Sequence, residues 1–119
     1  MLNKNKDNRL SKSEILRKKA DFKQIFNSAK IMSSPSLTLR CLKSSNRQVG
    51  FLVSHSIAPK AVMRNKIKRH LREIYRTHKD NFLDSYTYLF QAREAAISKN
   101  VHELTNEVLN LCTKVRETQ

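Results

Sequence analysis

The chain has 119 residues, enough for one domain with a single modest core. Its 24 lysines and arginines against 10 acids give a formal charge of +14 and a pI near 10.3, which points to a polyanionic partner or, less commonly, an anionic membrane surface. A single glycine excludes a glycine-rich phosphate loop, and no apolar run approaches the roughly 20 residues of a membrane span.

The charge is unevenly placed. Residues 1–79 carry 20 basic and 4 acidic side chains, whereas residues 80–119 carry 4 basic and 6 acidic. Solubility alone does not require that asymmetry; a single binding face does. Cys41 and Cys112 are 71 residues apart with no Cys-x-x-Cys spacing, which reads as two free thiols in a reducing cytoplasm. The first residues are rich in Lys and Asn and lack an apolar stretch, so no signal peptide is expected.

In chain order, residues 1–14 are polar and charged, with Leu2 and Leu10 as their large apolar residues. This composition reads as a mobile basic arm ahead of a single domain over 15–119. A helix is expected over 19–30, where Phe22, Ile25, Phe26 and Ala29 fall at i, i+3, i+4 and i+7. Two phenylalanines at that spacing read first as core. Ser33, Ser34, Pro35 and Ser36 mark a loop. Leu37, Leu39 and Cys41 then alternate with Thr38, Arg40 and Leu42, the period of a half-buried strand. The polar connection 43–47 is short enough for a hairpin to a second strand with Val49, Phe51 and Val53 facing inward. Gly50 sits inside that strand, where a glycine suggests close approach by another backbone or a ligand.

Pro59 suits the first turn of a helix that starts near Ala61 and runs to about Lys79. Met63, Ile67, Leu71, Ile74 and Tyr75 form its apolar stripe. Arg64, Lys68, Arg72 and Arg76 follow at i, i+4 steps, with Lys66 and Arg69 further round. From Lys60 to Lys79 there are eight basic residues and one acid, Glu73. Ordinary solvated faces mix signs, because like charges four apart repel by a few tenths of a kcal/mol, on the order of 0.2–0.5 per pair. A polyanion relieves that repulsion. Arg64 and Asn65 are placed near the first turn, where free N–H groups and the positive dipole end already favour phosphate.

Residues 77–84 read as a polar link, with Asp80 and Asp84 as solvated carboxylates. Residues 86–92 read as a third strand buried on both sides. Arg93, at its end, suits either a phosphate contact or a structural ion pair. Asn100 followed by Glu103 is a capping-box signature for a closing helix with Val101, Leu104, Val108, Leu111, Cys112 and Val115 on one face. Its acids, Glu103 and Glu107, mark it as a scaffold helix.

The run Arg64-Asn65-Lys66-x-Lys68-Arg69-x-x-Arg72 resembles the Arg-Asn-Arg-x-x-x-Arg helix signature of the bacterial ribonuclease P protein family. Three further stretches agree in order and spacing: Leu16-x-x-x-x-Asp21-Phe22-x-x-Ile25-Phe26, Val49-Gly50-Phe51-x-Val53-Ser54 and Leu89-Phe90-x-Ala92-Arg93. The likeness covers about residues 15–115. It implies an α+β fold, a small α/β sandwich in the order helix, strand, strand, helix, strand, helix, like the second domain of ribosomal protein S5, with a left-handed βαβ crossover. It also implies that Lys60, Arg64, Asn65, Lys66, Lys68, Arg69, Arg72 and Arg76 contact a catalytic RNA subunit. Phe22 and Phe26, flanked by Lys18, Lys19 and Lys23, would border a cleft for the 5′ leader of precursor tRNA, where aromatic faces stack on any base. The sequence departs from the family at His55-Ser56, where members commonly carry a Lys pair, and at Lys66, which keeps charge but lacks the arginine fork.

No catalytic residue of the protein itself is expected. His55, His70, His78 and His102 lack metal spacing, and there is no Gly-x-Ser-x-Gly elbow or close acidic cluster. The resemblance assigns cleavage to the RNA subunit, with magnesium required by the holoenzyme and no cofactor or metal bound by the protein. The implied partners are that RNA and precursor tRNA, with no membrane and no DNA, for a cytoplasmic and monomeric protein. A ribosomal or RNA-chaperone protein is the competing reading. A helix-turn-helix DNA binder is disfavoured by the strand and loop ahead of the basic helix, and a metal-dependent nuclease acting alone by the lack of ligands.

Overall fold

The computed structural model describes residues 14–16 and 18–118. Residues 1–13, which hold nearly all of the expected basic arm, lie outside the described residues. The elements are α1 (Lys19–Ser28), β1 (Lys30–Ser33), β2 (Leu37–Lys43), β3 (Gln48–Leu52), α2 (Ala61–Thr77), β4 (Tyr86–Ala92) and α3 (Val101–Glu117), with short 3-10 helices at Lys79–Asn81 and Glu94–Ser98. Together they form an α+β domain around one four-stranded mixed sheet.

The sheet order is β1-β2-β4-β3. β4 pairs antiparallel with β2, Leu39 opposite Phe90, and parallel with β3, Phe51 opposite Phe90. The short 43–47 connection is therefore no hairpin: β4 inserts between β2 and β3. The reason lies in β4 itself, where Thr87, Tyr88, Leu89 and Phe90 are all buried, so both faces and both edges gain by a central position. The linking residues stretch across its start, held by the Ser44 N–H on Ser85 O at 2.8 Å and by Thr87 Oγ1 on Ser44 Oγ at 3.0 Å. α2 is the crossover between the parallel neighbours β3 and β4.

A strand that the sequence did not announce, β1, follows α1 after a single residue, and the expected helix over 19–30 ends at Ser28. Among the described residues β1 is a four-residue edge strand pairing only with β2, and Ile31 points largely to solvent, so it has no alternation to read.

One face of the sheet carries the main core. Leu37, Leu39, Cys41, Val49, Tyr88 and Phe90 meet Ile67, Leu71, Ile74 and Tyr75 of α2 and Leu104, Val108, Leu111, Cys112 and Val115 of α3. The stripes read from the two helices are the faces they bury, except that Val101, in the first turn of α3, is exposed. Phe82, within the supposed polar link 77–84, is buried and packs edge-on against Tyr75 and Tyr88 at 4.8 and 4.9 Å. The α3 capping box forms as its residues foretell: Asn100 Oδ1 accepts the Glu103 N–H at 2.8 Å and Glu103 Oε1 accepts the Asn100 N–H at 3.0 Å.

α1 covers the other face. Ile25 is buried against Leu16 and Leu89, with Phe22, Ala29, Leu42 and Leu52 around them. The segment entering α1 is tied along the β3 edge, with Ile15 bridged to Val49 and the Leu16 N–H on Val49 O at 2.9 Å. This explains Gly50. A Cβ there would lie 3.1 Å from Leu16 Cδ2 and Leu89 Cδ1, so the close approach foreseen at this glycine is made by side chains. Glu14, grouped by composition with the arm, is partly buried: it ion-pairs with Lys79 at 2.9 Å and Arg47 at 3.5 Å, and accepts the Tyr75 hydroxyl.

Candidate nucleic-acid interface

α2 presents its basic residues on the side away from the sheet. Its first residue is Ala61, so Lys60 is the N-cap and Pro59 lies just ahead of the helix instead of in its first turn. No side chain caps this end; the Lys60 carbonyl accepts the N–H groups of Met63 and Arg64, both at 3.1 Å. Asn65 thus belongs to the second turn. Lys60, Asn65, Lys66, Arg69 and Arg72 are exposed, and Arg64, Lys68 and Arg76 are half-buried. Among the described residues, Lys60, Lys66, Lys68, Arg69 and Arg72 have no acidic partner.

Two of the predicted cations have structural work as well. Arg64 Nη1 donates to the carbonyls of Ala58 at 3.0 Å and Pro59 at 2.8 Å and lies 3.4 Å from His55 Nδ1. It fastens the loop that turns β3 into α2, which the sequence reading of a purely RNA-facing arginine missed. These contacts share one nitrogen, which leaves Nη2 and Nε for an anion. Arg76 grips the Glu73 carboxylate one turn back, and its hydrogen bond holds the Glu73 pKa below the usual value. His70, half-buried on the same helix, has its pKa lowered by burial and then by the positive charges of Lys66 and Arg69. Burial first, and the like charge of its neighbours second, oppose protonation of this histidine.

The second surface lies on the opposite face of the sheet. Lys18, Lys19 and Lys23 of α1 are exposed, and Phe22 is half-buried in the small core beneath. Phe26 is 43% exposed, so it is not the core residue its spacing suggested. The Arg40 guanidinium lies over its ring, 4.7 Å from the centroid, and Arg40 Nε donates to Gln91 Oε1 at 2.7 Å. The sequence reading passed over Arg40 and Gln91. Their signal was a polar residue on the outward side of each of two apolar strands, which gains meaning only when β2 and β4 become neighbours. Beyond them Leu52, Val53, Ser54, Gln91 and Ala92 line a shallow cavity of about 170 Å³ at the C-terminal ends of β3 and β4.

The two surfaces meet at one end of the sheet. Leu52 ends β3 beside that cavity, and residues 53–60 then lead round to the N-terminus of α2.

The remaining candidates resolve locally. Arg93 Nη1 donates to the Ser34 carbonyl at 2.9 Å and secures the β1–β2 turn, and among the described residues it forms no ion pair. Glu107 does the same from α3: its carboxylate takes the Ser36 N–H at 2.8 Å, the Ser36 hydroxyl at 2.7 Å and the Ser34 hydroxyl. Burial opposes ionisation of Glu107, but these three hydrogen bonds prevail and its pKa lies below the ordinary value. Both cysteines are free and buried. Among the described residues no three His, Cys, Asp or Glu side chains cluster as metal ligands, and no helix is long and apolar enough to cross a membrane.

The family model for ribonuclease P matches residues 10–116. The ribonuclease P protein component of Alkaliphilus oremlandii is 30% identical over 102 residues, covering 84% of this chain and 89% of that protein. Among solved structures, a Staphylococcus aureus RNase P protein mutant with defective mRNA degradation activity superposes with a TM-score of 0.81 at 25% identity, over 88% of this chain and 90% of that one. The RNase P protein from Thermotoga maritima superposes with a TM-score of 0.77 at 25% identity, over 85% and 96%.

Proposed function

This chain belongs to the ribonuclease P protein family, the protein component of a ribonucleoprotein enzyme of tRNA 5′ processing, and on that premise we propose how its two surfaces share the work. The exposed face of α2, through Lys60, Asn65, Lys66, Lys68, Arg69 and Arg72 with the free edge of Arg64, binds phosphates of the catalytic RNA subunit. Arg76 joins them at a lower yield, because Glu73 already neutralises it. The cleft between α1 and the sheet holds the single-stranded 5′ leader of precursor tRNA, with Phe22, Phe26 and Arg40 offering flat surfaces and Lys18, Lys19 and Lys23 meeting leader phosphates.

In this reading the protein contributes binding and orientation, and the RNA subunit with its magnesium ions breaks the phosphodiester bond. The protein acts as a monomer in the cytoplasm. The observation that carries the proposal is the pairing of a single-sign helix face with an exposed aromatic ring stacked under a guanidinium. Counterion release at the first gives affinity, and stacking at the second gives sequence-tolerant grip on unpaired bases.

Reconstitution with the cognate RNA subunit tests it. The protein is expected to tighten binding of leader-bearing precursor much more than of mature tRNA. Protein freed of RNA is expected to leave precursor intact at any magnesium concentration, and cleavage by such protein would defeat the division of labour. Equal enhancement of both substrates would favour a general RNA chaperone instead.

A further inference from the structure

α1 divides its face of the sheet in two. Phe26 lies under Arg40, which is bonded to Gln91 near the C-terminal end of β4. Asp21 and Gln24, on the other flank of the helix, look toward the opposite end, where the row Leu42, Thr87 and Gln48 crosses the sheet. There a second cavity of about 300 Å³ opens, within the range of small-ligand sites. Leu42 supplies a small apolar surface, over the buried Ile25. Asp21, Gln24, Lys43, Ser45 and Gln48 supply polar side chains. Among the described residues none of these five makes a side-chain hydrogen bond to protein, although Gln48 and Asp21 are half-buried. Polar side chains without a protein partner around one hollow are available to a polar ligand, which would replace the water they now meet.

The chemistry narrows the ligand. Asp21 and Lys43 make the cavity formally neutral, so an isolated phosphate meets a carboxylate and an isolated cation meets an ammonium. A planar ring with its own donors and acceptors suits it better. An ionised carboxylate only accepts hydrogen bonds, and it takes two at once from adjacent parallel donors. Among the nucleobases guanine alone offers that pair, N1–H beside the 2-amino group. Adenine and cytosine set a ring acceptor beside their amino group, and uracil flanks its one N–H with two carbonyls. We propose that this cavity binds an unpaired guanosine nucleotide, with Asp21 on the N1–H and 2-amino edge, the base beside Leu42, Gln24 or Gln48 on the remaining polar edge, and Lys43 on the phosphate. That the guanosine comes from RNA rests on the proposed function; the recognition itself does not.

The test is an NMR titration of the full chain with GMP, AMP, CMP, UMP and IMP at one salt concentration. GMP is expected to shift the amides of Asp21, Gln24, Ser45 and Gln48 and to bind about tenfold or more tighter than AMP, the order by which a bidentate contact discriminates. IMP, which lacks the 2-amino group, should fall between them. Asp21→Asn should remove the preference for GMP, and Lys43→Ala should weaken every nucleotide while keeping the preference. If Asp21→Asn proves unfolded in a thermal melt, the ranking of GMP, IMP and AMP on the unaltered chain decides alone. Equal binding of all five, shifts confined to α2, or no shift with GMP would overturn the site. Reconstitution separates this from the function: leader-dependent binding without GMP recognition removes only the guanosine site, and the converse result removes only the leader reading.

Discussion

The guanidinium of Arg40 lies 4.7 Å from the centre of the Phe26 ring, on the face of the sheet turned away from the main core. One side of the ring is therefore taken up by a cation that itself stacks on bases. The pair acts as a unit: phenyl below, guanidinium above, with the Arg40 plane fixed by its 2.7 Å bond to Gln91.

Phe26→Ala should accordingly lower stability by only about 1 kcal/mol or less, because the ring is 43% exposed. It should weaken leader-bearing precursor by roughly 1–3 kcal/mol and mature tRNA hardly at all. Ile25→Ala, one residue away and buried, should instead cost about 2–5 kcal/mol of stability. Thermal unfolding beside leader-dependent binding checks both. A large stability loss for Phe26→Ala with equal effects on the two substrates would remove the leader role.

Arg72 and Arg64 should part company when each becomes alanine. Arg72 is exposed with no partner among the described residues, so its loss should leave the melting curve unchanged. The slope of log affinity for the RNA subunit against log salt should flatten by about 0.7–0.9. Arg64→Ala should show the same flattening together with a measurable loss of stability, because Nη1 also holds the carbonyls of Ala58 and Pro59. Salt-dependent binding and calorimetry on the same samples settle the contrast. An unchanged slope for Arg72→Ala would take it off the RNA surface.

Glu107→Gln should destabilise the domain by about 1–3 kcal/mol, since a charged acceptor for the Ser34 hydroxyl and the Ser36 hydroxyl and N–H becomes neutral. The folded pKa of Glu107 is lowered, so its contribution is present above the unfolded value of about 4.5 and is lost as pH falls through the folded value. Denaturant midpoints of the two proteins should therefore converge in acid. A constant gap down to about pH 2, below the carboxylate range, would contradict this.

The alkaline side carries the opposite sign. Burial pushes the Cys112 thiol and the Tyr88 phenol up to about 12, and burial together with the hydrogen bond to Glu14 raises Tyr75 further. Their ordinary values are 9.0 for the thiol and 10.0 for the phenols, so in alkali the unfolded chain ionises first. Their stabilising contribution is complete below those values and is lost as pH rises from them through the folded values. Urea midpoints should fall steadily above about pH 9, and a flat profile there would show that these groups do not stay protonated in the fold.

Much of this protein was written locally. The stripe Ile67, Leu71, Ile74 and Tyr75, the alternation of Leu37, Leu39 and Cys41, and the Asn100–Glu103 cap each depend on residues within a turn or two of one another, so their period or spacing survives without a tertiary context. The same-sign face of α2 was legible for the same reason: which residues share a helix face follows from 3.6 residues per turn. The motif Arg64-Asn65-Lys66-x-Lys68-Arg69-x-x-Arg72 added the family, because its order and spacing are specific.

Chain-distant pairings were not legible. Only the sheet decided that β4 parts β2 from β3, because that choice compares the burial of whole strands and not any local signal. The same placement brought Arg40 beside Gln91, 51 positions away, and so left Phe26 at a cleft instead of in a core. It set Glu14 against Lys79 and Glu107 against Ser36, turning an acid grouped with the arm and one on the scaffold helix into anchors. The local sequence determined what each element is and which face it hides. Which polar groups meet was left to the packing, since a charge or hydroxyl has no periodicity and acquires its role from whatever the fold carries within about 3 Å of it.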